Sequence, residues 1–103
     1  MRTTLSHSQL VTLYRGFFVL GDSANLKILY ELDKYGERNF TQLKIELGIN
    51  PATLSKKLRL LIEVGLIESD KTHNNLHVYY SIVQHQRSVK RFLEAFDKLA
   101  EEL

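Results

Sequence analysis

The chain of 103 residues has no cysteine, one proline and five glycines. Without thiols there is neither a disulfide framework nor a thiolate metal site, and no Cys nucleophile is available. No apolar run is long enough to span a bilayer, and the opening MRTTLSHSQL lacks the apolar core of a secretory signal, so a cytoplasmic protein is expected, with no membrane partner. No glycine-rich loop cradles phosphate, serines fall at expected helix starts or on helix surfaces, and carboxylates are spread as surface charges such as Glu94 four residues before Lys98. Enzymatic activity is not expected. His73 and His77 are four apart but flank an expected hairpin tip with only Asp70 nearby, too few ligands for a metal. Neither a metal nor a cofactor is implied.

What is present is an ordinary globular composition, 44% apolar and 25% charged. The net charge of +2 says little, but its distribution says more. Residues 41–65 carry Lys44, Lys56, Lys57 and Arg59 against Glu46 and Glu63, whereas 84–103 balance four basic against four acidic residues. A local cationic surplus on a helix is the footprint expected of phosphate binding.

The elements follow from periodicity and punctuation. Ser6 and Gln9 have capping-box spacing, and Leu10, Leu13, Tyr14, Phe17, Phe18 and Leu20 recur at helical spacing up to Gly21. Asp22 or Ser23 caps a second helix carrying Leu26, Leu29 and Leu32 and ended by Gly36. Asn39-Phe40 is expected to form a very short strand on a later hairpin. Thr41 is expected to cap a third helix with core contacts among Leu43, Ile45 and Leu47, and Gly48-Ile49-Asn50 is a turn with Ile49 pointing inward. Asn50 as N-cap and Pro51 at the first helical position open a fourth helix, with Leu54, Leu58, Leu61 and Ile62 on one face. Residues 66–72 and 76–82 read as a hairpin turning at Asn74-Asn75, with Val78, Tyr80 and Ile82 on its buried face. The last helix, 84–103, shows Val89, Phe92, Phe96, Leu99 and Leu103 at the spacing of a helix that packs along a partner.

The fold expected is mainly α with a small β-hairpin, an α+β winged helix-turn-helix with helical extensions at both termini, forming one domain over 1–103. Within it 41–64 form the helix-turn-helix, 66–82 the wing, and 1–21 with 84–103 the dimerisation helices. Two helices joined by a tight turn and followed by a ribbon place the second helix in the DNA major groove. The expected contacts are Thr41, Asn50, Pro51, Ala52, Thr53, Ser55, Lys56, Lys57 and Arg59, the last three against phosphate and Arg59 also against guanine. At the wing tip Lys71, Thr72, His73, Asn74 and Asn75 are expected to touch the DNA backbone or minor groove, with phosphate contacts more than base reading. One small domain cannot readily cover all its terminal aromatics, so a homodimer is expected through Leu10, Leu13, Tyr14, Phe17, Phe18, Val89, Phe92, Phe96, Leu99 and Leu103. The functional expectation is a dimeric, sequence-specific regulator that binds double-stranded DNA and represses. A winged-helix protein-interaction module and a non-specific architectural DNA binder are the competing readings.

The same stretch resembles a known family. LGDSANLKIL is similar to the segment opening the second helix of ArsR-type regulators. FTQLKIELGINPATLSKKLRLLIEVGLIE resembles the F-x-x-L-x-x-x-L-x-[IL]-x-x-x-x-[LV]-S-x-x-L-x-x-L-x-x-x-G-L-[IV] pattern of the winged helix-turn-helix regulators of the ArsR and MarR groups. HVYYSI resembles their second wing strand, with Tyr80 in the place of a core tyrosine. The resemblance implies a DNA-binding regulator. It also marks departures: Asn25 stands where ArsR-like proteins commonly have Arg, the wing SDKTHNN has a single Lys, and the metal-sensing cysteines are missing.

Overall fold

The computed structural model describes residues 6–8, 21–71, 77–83 and 87–102, without the side chains of 87, 88, 92 and 96. Residues 7 and 8 are helical; the remainder of the expected first helix lies outside the described residues.

Helix α1 runs Ser23–Tyr35. Asp22 starts it, its Oδ1 accepting the backbone N–H groups of Ala24 at 2.9 Å and Asn25 at 3.1 Å. These are two of the donors a helix start would otherwise leave unpaired. Asn25, Ile28, Leu29 and Leu32 form its buried stripe, and Gly36, at φ 77°, closes the helix by donating to the Leu32 carbonyl. The residue where ArsR-like chains commonly have Arg is thus interior here.

Strand β1 is only Arg38–Asn39, and helix α2, Phe40–Leu47, follows without a loop. The cap of α2 is Asn39, not Thr41. Asn39 Oδ1 accepts from Gln42 N at 2.8 Å while Gln42 Oε1 accepts from Asn39 N at 2.9 Å, a reciprocal box that leaves Thr41 exposed inside the first turn. Of the three expected core contacts, Leu43 is buried and Leu47 packs against the core, but Ile45 is 68% exposed. Gly48 adopts the left-handed conformation (φ 61°, ψ 33°) and its N–H closes the helix on the Lys44 carbonyl. A Cβ there would meet no atom, so it is the dihedral angle and not crowding that favours glycine.

Helix α3 is Pro51–Glu63, with Asn50 Oδ1 accepting from Ala52 N at 2.9 Å and Pro51 in the first turn. Leu54, Leu58 and Leu61 are buried at spacings of four and three, while Ile62 sits at the rim, 38% exposed. Strands β2, Ile67–Asp70, and β3, Tyr79–Ile82, pair antiparallel from Ile67↔Ile82 to Asp70↔Tyr79. That register suits a hairpin centred on Asn74-Asn75, which lie outside the described residues. β1 joins the other edge of β3 through Arg38↔Tyr80 and Asn39↔Tyr79, giving a three-stranded sheet of order β1-β3-β2. Tyr80 and Ile82 face the core, as alternation requires, and burial raises the Tyr80 phenol pKa above its ordinary value.

Helix α4, Arg87–Glu102, returns across α1. Val89 and Leu93 enter the core, and Tyr30 Oη lies 3.2 Å from the Leu93 carbonyl and 3.0 Å from Asp97 Oδ1. Val89 is only 2% exposed, so it has no surface to offer a second protomer; its assignment to the dimer contact is corrected. Leu103 and the side chains of Phe92 and Phe96 lie outside the described residues, as do Leu10, Leu13, Tyr14, Phe17 and Phe18. Among the described residues, helices α1 to α4 and a small antiparallel sheet therefore surround one core of Ile28, Leu29, Leu32, Leu43, Leu54, Leu58, Leu61, Ile67, Val89 and Leu93. Full burial of each such side chain contributes roughly 1.5–3 kcal/mol.

Candidate nucleic-acid interface

Helix α3 owes its orientation to its leucines. With Leu54, Leu58 and Leu61 turned into the core, the opposite side of the helix must face outward. Pro51, Ala52, Thr53, Ser55, Lys56 and Arg59 are all exposed, and the first turns stand at the end that Asn50 caps. The cap occupies Asn50 Oδ1, which leaves that oxygen committed to Ala52 N rather than to a ligand. Thr41 is exposed on the neighbouring α2, and Lys71 is exposed where the wing leaves β2. Thr72, His73, Asn74 and Asn75 lie outside the described residues.

The three cations of α3 are not equivalent. Lys56 and Arg59 are exposed and have no ion-pair partner among the described residues. Lys57 is half-buried, its side chain 26% exposed, with Nζ 2.8 Å from Asp22 Oδ2. Donation by Lys57 is the main reason the Asp22 carboxyl is held below its ordinary pKa, helped by the N–H groups of Asn25 and Ala24 and opposed by partial burial. An interaction spanning 35 positions has no local sequence signal, although Asp22 itself was legible as a cap.

A second ion pair fixes the other end of α1. Arg38 Nε lies 3.3 Å from Glu31 Oε2, an electrostatic contact without the alignment of a hydrogen bond. The Arg38 guanidinium also sits 4.6 Å from the Tyr35 ring centroid, with Lys34 Nζ at 5.1 Å from the same ring. On the outer face of the wing, His77 meets Tyr79 edge-on at 6.4 Å between centroids. Among the described residues no group of three or more His, Asp or Glu gathers as a metal site, and no helix is long and apolar enough to cross a membrane.

Residues 22–69 match the model of the bacterial regulatory protein arsR family. No curated protein matches the chain by sequence. Solved structures are similar over nearly its whole length. The AntR antimony-specific transcriptional repressor has a TM-score of 0.83 at 25% identity, covering 98% of this chain and 87% of its own. The homodimeric winged helix-turn-helix DNA-binding domain of Mb0332 from Mycobacterium bovis has a TM-score of 0.77 at 26% identity, covering 98% and 92%. NolR from Sinorhizobium fredii shares the fold at a TM-score of 0.80 and 23% identity, covering 95% and 96%. With its helix-turn-helix and its three-stranded wing sheet, the chain has the winged helix-turn-helix fold, and its residues 22–69 are similar to the arsR family of bacterial regulatory proteins.

Proposed function

We propose that this protein is a sequence-specific regulator that binds double-stranded DNA as a homodimer in the cytoplasm and represses by occluding a promoter. The carrying observation is the outer side of α3, where Thr53, Ser55, Lys56 and Arg59 are exposed on a helix whose other side is clamped by buried leucines. Short hydroxyl side chains on the first turns suit base edges or phosphates, while Lys56 and Arg59 suit phosphates and guanine. Lys71 and the wing tip, with Thr72, His73, Asn74 and Asn75, would lie along the backbone beside the groove. The terminal helices would pair about a two-fold axis, bringing two copies of α3 to half-sites about 34 Å apart. That AntR is a transcriptional repressor and that the Mb0332 domain is homodimeric supports both halves of this reading.

The test is selection of bound fragments from a random duplex pool, followed by titration of the selected site across salt. A palindromic site bound at least roughly a thousand-fold above random duplex is the expected result. Lys56→Ala with Arg59→Ala should leave the fold intact and flatten the salt dependence. Equal affinity for random and selected duplexes would favour an architectural binder, and no duplex binding beside a co-purifying protein would favour an interaction module.

A further inference from the structure

Asp22 holds Lys57 with a carboxylate that is not free to turn. Oδ2 receives Lys57 Nζ at 2.8 Å, while Oδ1 receives the N–H groups of Ala24 and Asn25, and the Asp22 carbonyl accepts from Leu26 N at 3.0 Å. Rotating the carboxylate away from Lys57 would uncap α1. A DNA phosphate approaching Lys57 would therefore compete with an anion already seated by the fold. Lys56 and Arg59, on the same helix, meet no such competitor among the described residues.

We propose that Asp22 acts as a built-in stand-in for a DNA phosphate: it occupies Lys57, makes that lysine a positioning residue that sets α3 against the start of α1, and leaves Lys56 and Arg59 as the phosphate contacts of this helix. This rests on the DNA-binding reading above and deepens it. The pair is partly exposed, with side chains at 26% and 36%, so its value to stability is that of a surface pair. Its consequence is for the electrostatics of binding, where each neutralised phosphate adds about 0.9 to the slope of log affinity against log salt.

Asp22→Asn keeps an oxygen for the Ala24 and Asn25 N–H groups but removes the charge that holds Lys57. In the full-length protein on its selected duplex, this variant is expected to steepen the slope by up to about 2 per dimer, one new phosphate for each protomer. The extra loss of affinity between about 50 and 200 mM salt would then be roughly tenfold. The double variant Asp22→Asn, Lys57→Ala removes one charge of each sign and is expected to keep the wild-type slope, whereas Lys56→Ala flattens it by about 2 per dimer. A merely structural role for the pair would change affinity or melting temperature without this pattern of slopes. An unchanged slope for Asp22→Asn, or a double variant as flat as Lys56→Ala, overturns the proposal while the regulator reading stands. A wild-type protein that binds no duplex overturns both.

Discussion

At Asn39 the backbone leaves a strand and enters a helix within a single residue, and the side chain makes that possible. Asn39 pairs with Tyr79 in the sheet, yet its Oδ1 already takes the Gln42 N–H of α2. Because Gln42 answers with its own oxygen, two donors are satisfied at once. Asn39→Ala should remove the cap and destabilise the fold by about 1 kcal/mol, read as a lower urea midpoint with an unchanged m-value. Thr41→Ala, which touches no cap, should be close to neutral in the same measurement. The N-x-x-Q spacing was present in the sequence, but Thr41 before Leu43 offered a competing start. Only the short β1, which fixes Asn39 in extended conformation (φ −87°, ψ 173°), decides between them.

Among the elements, α4 shows best where periodicity stops being informative. Its apolar residues include Val89, Phe92, Phe96 and Leu99, a spacing that suits a partner helix, and also Leu93, four residues after Val89. A helix with two adjacent apolar stripes does not declare which of them faces its own domain. The structure turns Val89 and Leu93 inward and ties the helix to α1 through the Tyr30 hydroxyl. Tyr30 lies in α1, more than sixty positions earlier, so no local pattern could have paired the two. Burial and the Asp97 carboxylate raise the Tyr30 pKa above its ordinary value. Tyr30→Phe should cost about 1 kcal/mol of stability. The loss should be concentrated at the α1–α4 contact, seen as faster amide hydrogen exchange in α4 with α3 protected as before.

For the whole molecule, the surface of consequence is the outer side of α4. Leu99 is 54% exposed, an apolar side chain without cover from the described part of its own chain. With Val89 withdrawn into the core, the dimer contact proposed above must rely on Leu99 and the remaining terminal positions. Leu99→Glu should leave the protomer's melting profile nearly unchanged at high dilution yet shift sedimentation from dimer toward monomer. Affinity for a palindromic duplex should fall with it, while binding to an isolated half-site should persist. A variant that remains dimeric at the wild-type midpoint would place the interface elsewhere.

Elements with local signals could be read directly from the order of residues. Asp22, Gly36, Gly48, Asn50 and Pro51 act through their own or adjacent backbone, and leucines at helical spacing can bury only one side of α3. The exposed, cationic side of α3 was therefore legible before any coordinates. Which cations remain available, and which apolar stripe of α4 packs inside the chain's own core, depends on the folded arrangement. Those outcomes depend on Asp22 meeting Lys57, and on Tyr30 meeting Leu93 and Asp97. Such contacts join residues distant along the chain, and an ion pair or a buried contact exists only once the fold has brought both partners within a few ångströms.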